Sequence, residues 1–78
     1  MTISVIGAGS WGTALSQLLA VGEHEVMLWA RKDEVVDSIN ERHVNPRYLS
    51  DVFLSERIKA TTSYGQALDG AEAVVIVT

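Results

Sequence analysis

A parallel α/β sheet with helical crossovers is the fold this chain predicts, and three observations predict it. Short apolar, β-branched runs alternate with segments of helical periodicity, in the order β-α-β-α-β-α-β. The first and last runs, ISVI and AVVIV, are almost wholly apolar, as strands covered on both faces are. Between the first strand and the first helix stands GAGSWG, a glycine pattern placed where a strand turns into a helix. Such alternation implies right-handed crossovers and strands that all run the same way.

Ile3 to Ile6 is the first strand, bounded by Gly7. Trp11, Ala14, Leu15, Leu18 and Leu19 then recur at i, i+3, i+4, i+7 and i+8, which predicts one buried helix face. Gly22 is the expected left-handed residue after that helix. Glu25 to Ala30 is a second strand, along which Met27 and Trp29 alternate as packing residues. Asp33 is the expected N-cap of a second helix reaching about Arg42, with Val35, Val36 and Ile39 turned inward. Asn45-Pro46 closes that helix, because proline disfavours helical backbone at the residue before it. Arg47 to Glu56 reads as irregular. Ile58 to Thr62 is a third strand, and Thr61-Thr62-Ser63 its end and the cap of a short helix, Tyr64 to Leu68, closed by Asp69-Gly70. Ala73 to Val77 is the most strand-like run of all. No internal repeat or low-complexity segment interrupts the pattern.

The 78 residues hold one domain at most. A chain this short buries only about 60% of its unfolded surface. There is no cysteine to supply a disulfide or a thiolate metal site, and the composition fits a cytoplasmic setting. The net charge is −4, and all six basic residues lie beyond residue 30 without clustering on one segment, which argues against a nucleic-acid footprint. No apolar run approaches the roughly 20 residues that span a bilayer. The N-terminus lacks the basic start of a signal peptide. His24 and His43 have no nucleophile or carboxylate pair beside them and read as surface residues; Asp51 reads as a loop residue. No set of His, Cys or carboxylates has metal-ligand spacing, so neither a catalytic residue nor a metal is assigned.

The glycines carry the chemistry. Gly7, Gly9 and Gly12 form G-x-G-x-x-G inside a βαβ unit. Gly7 permits the tight turn out of the strand, Gly9 lets backbone approach a pyrophosphate, and Gly12 lets helix and strand pack closely. The bare N–H groups at the helix start, at the positive end of its dipole, suit an anion. The alternative, a glycine-rich turn with no ligand, rarely needs three glycines at this spacing. Ser10 is placed to donate its hydroxyl to a phosphate; Trp11 either covers a ligand or starts the apolar helix face. The fold expected is therefore the first mononucleotide-binding half of a Rossmann domain, with about four parallel strands. In such a site a carboxylate at the end of the second strand receives the ribose hydroxyls. Here that strand ends in Arg31-Lys32, and Asp33 and Glu34 come late. An arginine fork suits a 2′-phosphate, so NADP(H) is preferred with NAD(H) as the alternative, unless the two basic residues are merely a solvated strand end.

The stretch GAGSWGTALSQLLAVGEHEVMLWAR resembles the start of the bacterial-type NAD(P)-dependent glycerol-3-phosphate dehydrogenases. INERHVNPRYLSDVFLSERIKATTSYGQAL and AVVIVT follow the same family's pattern of an asparagine, a Tyr-Leu pair, an Ile-x-Ala-Thr strand and a further apolar strand. Ser50 and Ser55 stand where that family usually has proline, and Ser16 where it commonly has alanine. The resemblance covers essentially the whole chain. It implies reversible hydride transfer between dihydroxyacetone phosphate and sn-glycerol 3-phosphate for phospholipid synthesis. It places cofactor contacts on Ser10, Trp11, Arg31 and Lys32, with Tyr48 as an addition, and puts the catalytic lysine and the substrate-phosphate ligands beyond Thr78. Residues 1–78 are then expected to be the N-terminal part of an NAD(P)-binding domain, lacking its second half and the C-terminal substrate domain. Such a piece is expected to be inactive alone, to bind dinucleotide weakly, and to self-associate through the edge of its last strand. Three other readings compete: another dehydrogenase of the β-hydroxyacid or sugar-nucleotide layout, a methyltransferase-like nucleotide site, and a non-catalytic nucleotide-sensing or assembly module.

Overall fold

The computed structural model describes residues 1–77. The elements run β1 (Thr2–Ile6), α1 (Ser10–Val21), β2 (Glu25–Trp29), α2 (Asp33–Arg42), β3 (Ile58–Thr61), α3 (Tyr64–Leu68) and β4 (Ala73–Ile76), the order that the sequence predicts. The strands form one sheet in the order β3-β2-β1-β4, and every pairing is parallel. The chain steps outward from β1 to β3 and then returns across the sheet to β4. Right-handed crossovers therefore put α1 and α2 on one face and α3 on the other.

The two faces differ. Ile3 pairs with Val26 and Val26 with Ile58, and Val5 pairs with Leu28 and Leu28 with Ala60, so these six side chains share one face. All are buried, together with Val35 and Ile39 of α2, Ala20 of α1 and Leu54 of the long loop. Ser4 and Ile6 lie opposite, level with Val74 and Ile76 of β4. Among the described residues only α3 crosses that face, burying Ala67, and Val74 and Ile76 stay 47% and 73% exposed. The all-apolar last strand thus departs from the expectation of cover on both faces. A five-residue helix cannot roof four strands.

Helix α1 corrects a second expectation. Its buried residues are Gly12, Thr13, Ser16 and Ala20, whereas Trp11 and Leu18 are 79% and 71% exposed and Ala14, Leu15 and Leu19 are only partly covered. The cause is the closeness of the helix to the sheet. A Cβ on Gly12 would stand 1.7 Å from the Gly7 carbonyl oxygen, so the inward side has room for small residues alone. Ser16 is tolerated there because its hydroxyl donates to the Gly12 carbonyl at 2.8 Å.

The helix ends shift as well. Gly22 has φ −76°, and Glu23, with φ 70°, takes the left-handed position instead. The Glu23 N–H reaches the Ala20 carbonyl at 3.0 Å and the His24 N–H reaches Leu19 at 3.1 Å, the paired bonds of a Schellman ending with Glu23 as its left-handed residue. Glycine carries no Cβ penalty there, so Glu23→Gly is expected to stabilise the chain by about 0.5–1 kcal/mol. A thermal melt checks this, and a lowered Tm would contradict it. Helix α2 is capped by Lys32 rather than Asp33: the Val35 and Val36 N–H groups both bond to the Lys32 carbonyl, and Asp33 and Glu34 become the acidic first turn. At its other end His43 is left-handed with φ 59°, half-buried, its ring tilted against Phe53 at 5.8 Å, so it is a cap and not simply a surface residue. Ser63 caps α3 by accepting from the Gln66 N–H, as expected. Trp29 is a packing residue, stacked on Tyr64 with ring centroids 4.4 Å apart.

Candidate functional site

The turn leaving β1 is built on two glycines that nothing else replaces. Gly7 has φ 123°, and a Cβ there would stand 2.2 Å from the Val77 carbonyl oxygen. Gly12 holds the helix against the turn, as described. Between them Gly9 is different: a Cβ built on it meets nothing within 4 Å. Gly9 is also the N-cap of α1, and among the described residues no side chain caps it. The first backbone bond of the helix runs from the Thr13 N–H to the Gly9 carbonyl at 2.9 Å, which leaves the amides of Ser10, Trp11 and Gly12 without helical acceptors. Open space before bare, dipole-aligned amides is the arrangement a diphosphate requires, and a side chain at Gly9 would fill that space.

A cleft of about 480 Å3 opens beside this turn, at the carboxyl ends of the strands. Ala8 and Gly9 line it from the turn, Trp29 to Lys32 from the end of β2, Val35 from α2, Arg47 and Tyr48 from the loop after α2, and Val77 from beyond β4. The structure therefore brings Gly9, Arg31, Lys32 and Tyr48 together around one cavity. Gly7 and Gly12 shape its wall from behind. Ser10 and Trp11 lie at the helix start, exposed and outside the lining. Trp11 does not begin a packed helix face.

Two contributors escape the sequence reading. Asn45 is fully buried and joins the two loops of the site. Its Nδ2 donates to the Ala8 carbonyl at 3.0 Å and to Thr13 Oγ1 at 2.9 Å, while its Oδ1 accepts from the Arg47 and Tyr48 N–H groups at 3.0 and 3.3 Å. One amide thus latches the Arg47–Tyr48 segment to the glycine turn. The sequence offered a partial signal, since asparagine commonly receives the N–H two residues on, but its other partners lie 32 and 37 residues away. The second contributor is Arg47, whose Nε donates to Glu34 Oε1 at 2.9 Å and whose Nη2 also contacts that oxygen. The Arg47 hydrogen bond and charge, with a smaller pull from Lys32, hold the Glu34 carboxyl below the usual carboxylate range, so it is ionised near neutrality. Although the chain as a whole carries −4, this rim gathers Arg31, Lys32 and Arg47 against one carboxylate.

Among the described residues no group of three His, Cys, Asp or Glu side chains is placed to hold a metal ion, and no helix is long and apolar enough to cross a membrane.

A family model described as NAD-dependent glycerol-3-phosphate dehydrogenase N-terminus matches residues 2–78. The chain is 53% identical over 75 residues to the glycerol-3-phosphate dehydrogenase (NAD(P)+) of Streptococcus gordonii, covering 96% of this chain and 22% of that protein. It is 47% identical over 74 residues to the protein of the same name from Listeria monocytogenes, covering 95% and 22%. The crystal structure of a glycerol-3-phosphate dehydrogenase from Coxiella burnetii superposes with a TM-score of 0.90 at 38% identity, over 99% of this chain and 24% of that one. The chain thus spans about a fifth of the length of the curated relatives it matches.

Proposed function

The chain belongs to the family of NAD-dependent glycerol-3-phosphate dehydrogenase N-termini, and on that premise we propose that it is the first mononucleotide half of a dinucleotide-binding domain. The observation that carries this reading is the open space at Gly9 in front of uncapped amides. The protein it serves is an oxidoreductase that interconverts sn-glycerol 3-phosphate and dihydroxyacetone phosphate for glycerophospholipid synthesis in the cytoplasm. The nicotinamide dinucleotide, when bound, supplies or accepts the hydride. The residues of this chain hold and orient it: the amides at the start of α1 grip the diphosphate, the Ser10 hydroxyl donates to it, and Trp11 covers it. Arg31 and Lys32 meet the 2′-position of the adenosine ribose, and Tyr48 flanks the adenosine. No residue here is assigned to proton transfer, so residues 1–78 alone are inactive, and the second half of the cofactor domain and the substrate domain belong to the remaining length of the relatives.

NADP(H) is preferred over NAD(H). A charge-assisted hydrogen bond is worth about 1.5–3 kcal/mol, so Arg31→Ala is expected to weaken NADPH binding about tenfold or more while NADH affinity changes little. Titration of both cofactors against both proteins checks this; unchanged NADPH affinity would reverse the assignment.

Self-association belongs to the same proposal. Among the described residues β4 is paired on one side only, with β1, and it exposes Val74 and Ile76 on the face that α3 leaves open. A free apolar strand edge templates pairing with another chain. Light scattering should show mass rising with concentration; a clean monomer throughout would refute it.

A further inference from the structure

The geometry points to Arg47 as a third cationic ligand for the 2′-phosphate of an adenosine, with Glu34 as a tethered carboxylate that competes for it and thereby sets cofactor choice. This rests on the reading of the cleft as an adenosine site. Arg47 lines the same cavity as Arg31 and Lys32, yet arrives from a different element, the loop after α2. Its main chain is held in place independently of its side chain, through the buried Asn45 amide that ties it to the glycine turn. The guanidinium is therefore delivered to the cleft whatever it pairs with.

Its partner is Glu34, in the first turn of α2, two residues past Lys32. Both contacting nitrogens of Arg47 meet one carboxylate oxygen, Oε1, and the two side chains are 47% and 57% exposed. The pairing is solvent-exposed and engages one carboxylate oxygen, not the two of a fork. A phosphate dianion carries more charge than a carboxylate and offers three oxygens to the planar guanidinium, so it takes Arg47 from Glu34. An adenosine with a free 2′-hydroxyl brings no such charge. The Arg47–Glu34 pair then stays closed. One pair of residues thus lowers the advantage of the phosphorylated nucleotide without closing the site to either form.

The test uses the adenosine halves themselves, 2′,5′-ADP and 5′-AMP, titrated against this chain by calorimetry, with circular dichroism confirming that each variant is folded. An exposed ion pair contributes little to stability, so loss of fold is not expected. Glu34→Gln should raise the preference for 2′,5′-ADP over 5′-AMP about threefold or more, by freeing Arg47. Arg47→Gln should lower it by a similar factor, with 5′-AMP affinity nearly unchanged. The double variant should match Arg47→Gln, since Glu34 acts through Arg47. If both single variants keep the original ratio while Arg31→Ala lowers it, the proposal fails and the adenosine site stands. If Arg31→Ala leaves the ratio unchanged too, the site reading fails with it. A double variant that retained the gain of Glu34→Gln would also overturn the proposal, because Glu34 would then be acting on the ligand directly.

Discussion

Gly9→Ala is expected to abolish most dinucleotide binding and leave the fold intact. Gly9 has φ −76° and ψ −167°, extended backbone that any residue adopts, and its added Cβ meets no protein atom within 4 Å. A glycine replaced without strain usually gains stability by about 0.4–1 kcal/mol, through the unfolded state, so Tm should hold or rise. The same methyl group intrudes where the diphosphate must approach the amides. Losing two charge-assisted bonds at about 1.5–3 kcal/mol each weakens binding by about a hundredfold or more. Calorimetric titration with ADP beside a thermal melt separates the two effects. Retained affinity would show that the space before α1 is not an anion site. A lowered Tm would show that Gly9 is there for folding.

Gly12→Ala is expected to do the reverse, damaging the fold first. Its Cβ would lie 1.7 Å from the Gly7 carbonyl oxygen and 2.8 Å from its carbon. Both are backbone atoms, so no rotamer change relieves the clash, and α1 must move off β1. That movement also pulls Thr13 from Asn45 and loosens the latch on Arg47 and Tyr48. Overpacking a tight core costs about 1–3 kcal/mol and occasionally more. A backbone clash belongs at the upper end, against a total stability of roughly 4–12 kcal/mol for a domain of this length. The melt should fall by more than about 10 °C. A shift of a degree or two would mean that the helix does not approach the strand this closely.

The same close approach of α1 to the glycine turn explains where the sequence was legible and where it misled. The alternation of strand and helix, the right-handed crossovers and the glycine motif are local patterns, and each element stands within a residue or two of its expected bounds. The inward face of α1 was misjudged because periodicity counts apolar side chains, whereas a helix in contact with a backbone selects against side-chain size. Trp11 and Leu18 lie outside and Gly12, Thr13 and Ser16 inside for that one reason. The left-handed cap went to Glu23 rather than Gly22 because the helix ran its full length to Val21 before turning.

The site divides in the same way. Gly9, Arg31 and Lys32 were readable because each sits at a set distance from a strand end. Asn45, Arg47 and Glu34 were not, because their roles are pairings between loop and turn, or loop and helix.

By itself the sequence determined the parallel β-α-β order, the position of the glycine turn and the basic end of β2, since all three follow from propensity, handedness and spacing along the chain. Only the tertiary structure decided which face of α1 packs, which loop closes the cleft, and which carboxylate restrains Arg47. Those depend on distances between segments far apart in the chain, and contact at such range is set by how closely backbones can approach once the sheet has formed.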